Sequence, residues 1–163
     1  MLATRMLVIV TLLAGAGTVR VVGDQAPVPD TSVQRVLDDY IGLYRKETLE
    51  QWKGLFLPGF AASYTNDDGT VTTRNLNEFY ERQLSAFAAG PVSETLHNVK
   101  IQRVGRLAHV FADFTFTGRG STRPGQLMLL MIESQGQLKI AALTFTYHLS
   151  HARTVHRPGR HPR

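Results

Sequence analysis

The feature that most constrains this chain is a change of hydrophobic period near Ser93. Before it, apolar residues recur at helical spacing in three stretches: Val33, Val36, Leu37, Tyr40, Ile41 and Tyr44; then Leu49, Trp52, Leu55 and Phe56; then Leu76, Phe79, Tyr80, Leu84 and Phe87. Each set forms one apolar stripe along a helix. From Ser93 onward the period falls to two over residues 94–104, 108–117, 126–133 and 138–148, as expected of strands whose side chains alternate between faces. Helices with one stripe to bury and strands with one face to bury satisfy each other when the helices lie on one side of the sheet, an α+β architecture.

Local signals place the boundaries. Thr31 followed by Gln34, Thr48 followed by Gln51, and Asn75 followed by Glu78 read as the capping pairs that open three helices. Pro58-Gly59 is expected to end the second helix and Gly90-Pro91 the third. Between them, Phe60 to Thr65 and Thr70 to Arg74 flank Asn66-Asp67-Asp68-Gly69, a hairpin whose turn residues tolerate positive φ. Gly118-Arg119-Gly120 and Ser134-Gln135-Gly136 supply turns later in the chain.

The two ends differ from the middle. Residues 1–23 read as a signal peptide and the start of a mature chain: a charged start to Arg5, an apolar run MLVIVTLLAGA from Met6, and small residues at Ala14-Gly15-Ala16. As a helix, Met6 to Val19 reaches only about 21 Å, short of the roughly 30 Å hydrocarbon core, so export to the periplasm or medium without stable membrane insertion after cleavage is expected. Residues 24–30 form a Pro-containing linker, 31–149 the folded domain, and 150–163 a basic tail without apolar content, expected to be disordered. His151, His156 and His161 recur in that tail without carboxylates or thiols beside them, a weak metal set. The chain has no cysteine, which excludes disulfides and thiolate chemistry. Its net charge of +5 comes largely from arginines in the leader and tail. The domain between them is nearly neutral and lacks the basic stripe that nucleic acid requires.

The succession TLEQWKGLF (Thr48 to Phe56), the hairpin, NLNEFYERQL (Asn75 to Leu84) and LKIAALTFTY (Leu138 to Tyr147) resembles the SnoaL-like and ketosteroid-isomerase-like branches of the nuclear-transport-factor-like superfamily. The resemblance covers about Val33 to His148 and implies a cystatin-like cone: a curved mixed or antiparallel sheet wrapped around three N-terminal helices, enclosing an apolar pocket. It also implies a convex face that commonly supports a homodimer. Isomerases, dehydratases, cyclases, epoxide hydrolases and members without chemistry share that fold, so the fold does not choose among them. Ketosteroid isomerisation needs an Asp base with a Tyr and a protonated Asp on the enolate oxygen. The resemblance aligns Tyr40 with that tyrosine, but puts Tyr64 near the base position and Leu129 near the acid. Leucine donates no hydrogen bond and tyrosine is a poor base at neutral pH, which argues against that mechanism.

The same comparison turns His109, Phe111, Asp113 and Thr115 into the cone, along with Ala142, Thr144, Thr146 and His148. It turns Val110, Ala112, Phe114 and Phe116 outward with Ala141, Leu143, Phe145 and Tyr147. So apolar an outward set asks for a partner, hence a homodimer through the sheet. Residues 126–133, apolar on both faces, fit a sandwiched strand. Asp113 in a pocket would have its pKa raised by burial, which suits a general acid or base, and Tyr40 or Tyr64 could orient an oxygen beside it. A slip of one residue in strand phase would instead leave Asp113 at the solvent. Trp52, Phe56, His97, His109, Phe111, Thr144 and Thr146 are the candidate ligand-binding residues. His97 is grouped with the face of Val99 and Ile101. No metal-ligand spacing, phosphate loop or nucleophile elbow is visible, and no cofactor is expected.

Two functions are compatible with this. One is an exported module that binds a small apolar molecule or a protein partner without catalysis. The alternative is a cofactor-free dehydratase, cyclase or isomerase using a pocket Asp. A third idea has the Arg/His tail gripping an acidic surface.

Overall fold

The computed structural model describes residues 30–148. The leader, the linker up to residue 29 and the tail with its three histidines lie outside the described residues. The first helix, α1, runs Thr31–Gly42 and buries Val33, Val36, Leu37 and Tyr40. Its cap is not Thr31: the Asp30 carboxylate accepts from the Ser32 and Val33 amides, an N-cap one residue earlier than the Thr31–Gln34 reading. Asp30 also pairs with Arg103, which reaches Glu133 as well. These bonds hold the Asp30 carboxyl at about 2, and they tie the start of α1 to the sheet.

The second helical stretch is shorter than its apolar spacing predicts. A 3-10 turn, Lys46–Thr48, leads into α2, Leu49–Lys53, and Phe56 already opens strand β1, Phe56–Thr65. Thr48 spends its hydroxyl on the Leu43 carbonyl instead of capping. Pro58, expected as a helix stop, sits inside β1, in the interval where pairing with the last strand breaks between Phe56 and Ala61. A proline without an amide donor is tolerated there. The hairpin and third helix follow the sequence reading: β2 is Val71–Asn75, and α3, Leu76–Ala88, opens with the reciprocal Asn75–Glu78 capping box.

The remaining strands are β3 (Val92–Val104), β4 (Leu107–Gly118), β5 (Ser121–Ser134) and β6 (Gln137–Tyr147). They form a meander, and β6 then takes β1 in parallel, giving the order β2-β1-β6-β5-β4-β3 in one open mixed sheet. The helices cover one face of it. Val110, Ala112 and Phe114 of β4 join Leu127, Leu129 and Met131 of β5 and residues of all three helices in a continuous core. Gly125 belongs to this packing: a Cβ there would meet the Thr146 carbonyl oxygen and the Phe114 ring, so only glycine fits.

The inward face is therefore the opposite of the one expected. Val110, Ala112, Phe114 and Phe116 of β4 and Leu143, Phe145 and Tyr147 of β6 face the helices. Alternation then puts His109, Phe111, Asp113 and Thr115 on the outer face, with Thr144 and Thr146. The richer apolar set takes the helices because that is where most area leaves water. The surface proposed for a partner is thus covered by the chain's own helices, and β5 is not sandwiched: Leu127, Leu129 and Met131 are buried while Met128, Leu130 and Ile132 stay partly open. A bulge between His97 and Lys100, with Asn98 at φ 51°, also separates His97 from Ile101. His97 pairs with Asp113 on the outer face, whereas Ile101 pairs with Val110.

Candidate functional site

Between the helices and the inner face lies a cavity of about 220 Å³. Its walls are rich in aromatic rings, and each element contributes through ordinary packing. Tyr40 and Tyr44 are four residues apart, so they stack on one side of α1 and its exit. Their rings meet Trp52 at 5.6 and 5.2 Å. Tyr64 of β1 stacks on Phe145 of β6 at 4.9 Å, and Phe114 and Phe145 meet edge to face at 6.0 Å.

Polar groups punctuate this wall. The Tyr44 hydroxyl donates to Gln83 Oε1 at 2.6 Å, the Arg74 Nε donates to the Tyr64 hydroxyl at 3.0 Å, and the Tyr40 hydroxyl donates to Glu94 Oε1 at 3.1 Å. Glu94 is the one acid among the described residues that lines the cavity. Although the residue keeps part of its surface open, its carboxyl is sunk among aromatic rings. Burial, only partly offset by the Tyr40 hydrogen bond, pushes its pKa to about 7. Burial and the nearby Glu94 charge push the Tyr40 and Tyr44 hydroxyls upward and that of Tyr147 to about 12, so all three remain protonated donors. The Trp52 indole N–H is buried with no acceptor among the described residues. This arrangement can exchange a proton with a bound molecule near neutral pH and hold an oxygen on a neutral hydroxyl. It has no grouping of metal-ligating residues among the described residues.

Of the residues singled out from sequence, Tyr40, Tyr64 and Trp52 line the cavity. Phe56 is buried in the core against Trp52, at 4.6 Å between rings. Asp113, His97, His109, Phe111, Thr144 and Thr146 stand on the other side of the sheet. Asp113 accepts from Asn98 at 2.7 Å and Gln126 at 3.2 Å. Those bonds lower its pKa, the reverse of the rise expected in a pocket. Glu94 is not among the residues singled out from the sequence. A signal was present: it alternates with Val92 and Leu96, a lone carboxylate in an apolar row.

No family model and no curated protein matches the chain in sequence. Solved structures do match it in shape. A protein from Novosphingobium aromaticivorans provisionally named a scytalone dehydratase superposes with a TM-score of 0.59 at 18% identity, covering 81% of this chain and 94% of that one. A provisional dehydratase of the NTF2-like family from Streptomyces avermitilis gives 0.61 at 14% identity, covering 76% of this chain and all (100%) of that one. An NTF2-like protein of unknown function from Shewanella baltica gives 0.59 at 14% identity, covering 74% and 94%. The chain thus has the NTF2-like, cystatin-like cone fold, as its sequence resemblance implied.

Proposed function

We propose that this chain is a cofactor-free small-molecule enzyme of the dehydratase or isomerase kind, with Glu94 as the proton-transferring group and Tyr40 as its orienting donor. The observation that carries the reading is the Glu94 carboxyl inside an aromatic cavity, 3.1 Å from the Tyr40 hydroxyl. An acid whose pKa lies near the working pH is available in both protonation states, the condition for efficient general catalysis. The provisional dehydratase names of two structural neighbours are in keeping with it. The role expected of Asp113 from the sequence falls to Glu94, because Asp113 lies across the sheet from the cavity.

The test uses phenylacetone, a one-ring ketone with acidic α-protons, in heavy water. Deuterium uptake followed by NMR should be faster with the wild-type protein than with Glu94→Gln by about two orders of magnitude or more, the usual worth of a positioned acid–base group. Equal rates for the two would overturn the assignment.

A second reading, binding without turnover, is favoured by Glu94 being, among the described residues, the sole acid on the cavity wall, with no histidine there beside it. Export and a homodimer remain part of the proposal. The leader pattern of residues 1–23 supports the first, and N-terminal sequencing of the mature protein checks it. The outer-face residues Phe111, Met128 and Leu130, adjacent in register with Phe111 exposed, support the second.

A further inference from the structure

The cavity's electrical character separates its floor from its mouth. Inside, the walls are rings and hydroxyls around one carboxyl. At the rim stand Arg82, projecting from α3, and Arg119, at the turn between β4 and β5, and both line the cavity while remaining exposed. Neither makes an ion pair among the described residues. Arg82 lies 5.8 Å over the Tyr64 ring; nearby, Arg123 bonds Asp67 at 2.7 Å and lies 3.9 Å over the Tyr147 ring, and Arg74 donates to Tyr64. Glu78, on the same helix as Arg82, spends its carboxylate on the Asn75 amide. Arginines from two separate elements therefore line one cavity, whose single acid among the described residues is kept largely from ionising below neutral pH by burial.

Resting on the reading of this cavity as a small-molecule site, we infer that its ligand is an amphiphilic anion: a ring with a short chain ending in a carboxylate, the ring among the aromatic walls and the carboxylate between Arg82 and Arg119. Size limits the body. A cavity of about 150 Å³ is filled by benzene, so 220 Å³ accommodates one ring and a short substituent and excludes a fused multi-ring skeleton. Guanidinium suits the anionic end because its planar donors match a carboxylate pairwise. Both arginines face water, so their contribution is a preference of modest size and one that salt weakens.

The experiment compares hydrocinnamate with hydrocinnamamide, nearly isosteric molecules that differ in charge. Trp52, the chain's one tryptophan, lies in the cavity wall and reports occupancy by its fluorescence, with calorimetry as a second readout. Hydrocinnamate is expected to bind roughly fivefold to tenfold more tightly than the amide at low salt, the scale of two partly exposed charge pairs. Added salt should shrink that preference, as should Arg82→Gln combined with Arg119→Gln, whereas Arg106→Gln at the opposite end of the meander should keep it. If both compounds bind equally, or the double variant keeps the full preference, the anionic assignment is overturned while the cavity survives as a ligand site. If neither compound perturbs Trp52 or gives heat, both the assignment and the small-molecule reading fall.

Discussion

Replacing Glu94 by Gln should make the protein more stable at neutral pH than at acid pH relative to the wild type. The glutamine carbonyl can still accept from the Tyr40 hydroxyl, so the substitution removes chiefly the ionisation. A carboxyl with a higher pKa in the folded than in the unfolded chain holds its proton more tightly when folded. Its contribution is full below 4.5, the value of an unperturbed glutamate, and is lost as pH rises through about 7. A rise from 4.5 to about 7 corresponds to a loss of about 3 kcal/mol by pH 7. That is a large share of the 5–15 kcal/mol typical of a domain, roughly speaking. Urea unfolding followed by Trp52 fluorescence at several pH values measures it. The difference in unfolding free energy between Glu94→Gln and wild type should grow by about 3 kcal/mol from about pH 4 to pH 7. Any constant offset from burying an amide cancels in that comparison. Parallel stability profiles for the two proteins would refute the reasoning.

Three further outcomes are expected. Asp113→Asn should leave Trp52-reported ligand binding unchanged, because its carboxylate faces away from the cavity; a loss of binding comparable to that from a cavity residue would show the sheet faces to be assigned wrongly. Gly125→Ala should destabilise the domain by about 1–3 kcal/mol, the range for forcing atoms into a packed interior, as a shift in urea midpoint; no shift would mean β5 and β6 can part at Thr146. Sedimentation of the wild type should give a dimer that Phe111→Asp dissociates, since a charge on the apolar outer patch opposes association; a wild-type monomer would remove the dimer from the proposal.

The order of elements was legible because it depends on period and punctuation, which are local. Asn75 and Glu78 opened α3 as read, and Asn66 to Gly69 turned the hairpin. What failed was phase. The faces of β4 were separated correctly into His109–Asp113 and Val110–Phe116 sets, but alternation alone does not say which set meets the helices, and the inward choice leaned on resemblance. Hydrophobicity pointed the other way: Val110, Ala112, Phe114 and Phe116 form the more apolar set, and that set is inside. The bulge at Asn98 and the early end of α2 at Gly54 were not legible either. Each depends on tertiary fit, in one case a residue accommodated by positive φ and in the other a chain that must leave its helix to pair with β6. Tyr40 and Trp52 were found because a helical stripe has only one buried side, whereas a strand has two faces to choose between.

The most direct test of the central claim, an acid held in an aromatic cavity by Tyr40, is the titration of the Glu94 carboxyl carbon by NMR. A midpoint near the value of about 7, rising further in Tyr40→Phe because a bond favouring the anion is lost, is the result this structure requires. A midpoint at the ordinary 4.5, unmoved by Tyr40→Phe, would mean that the carboxyl stands in water and that the cavity lacks its acid.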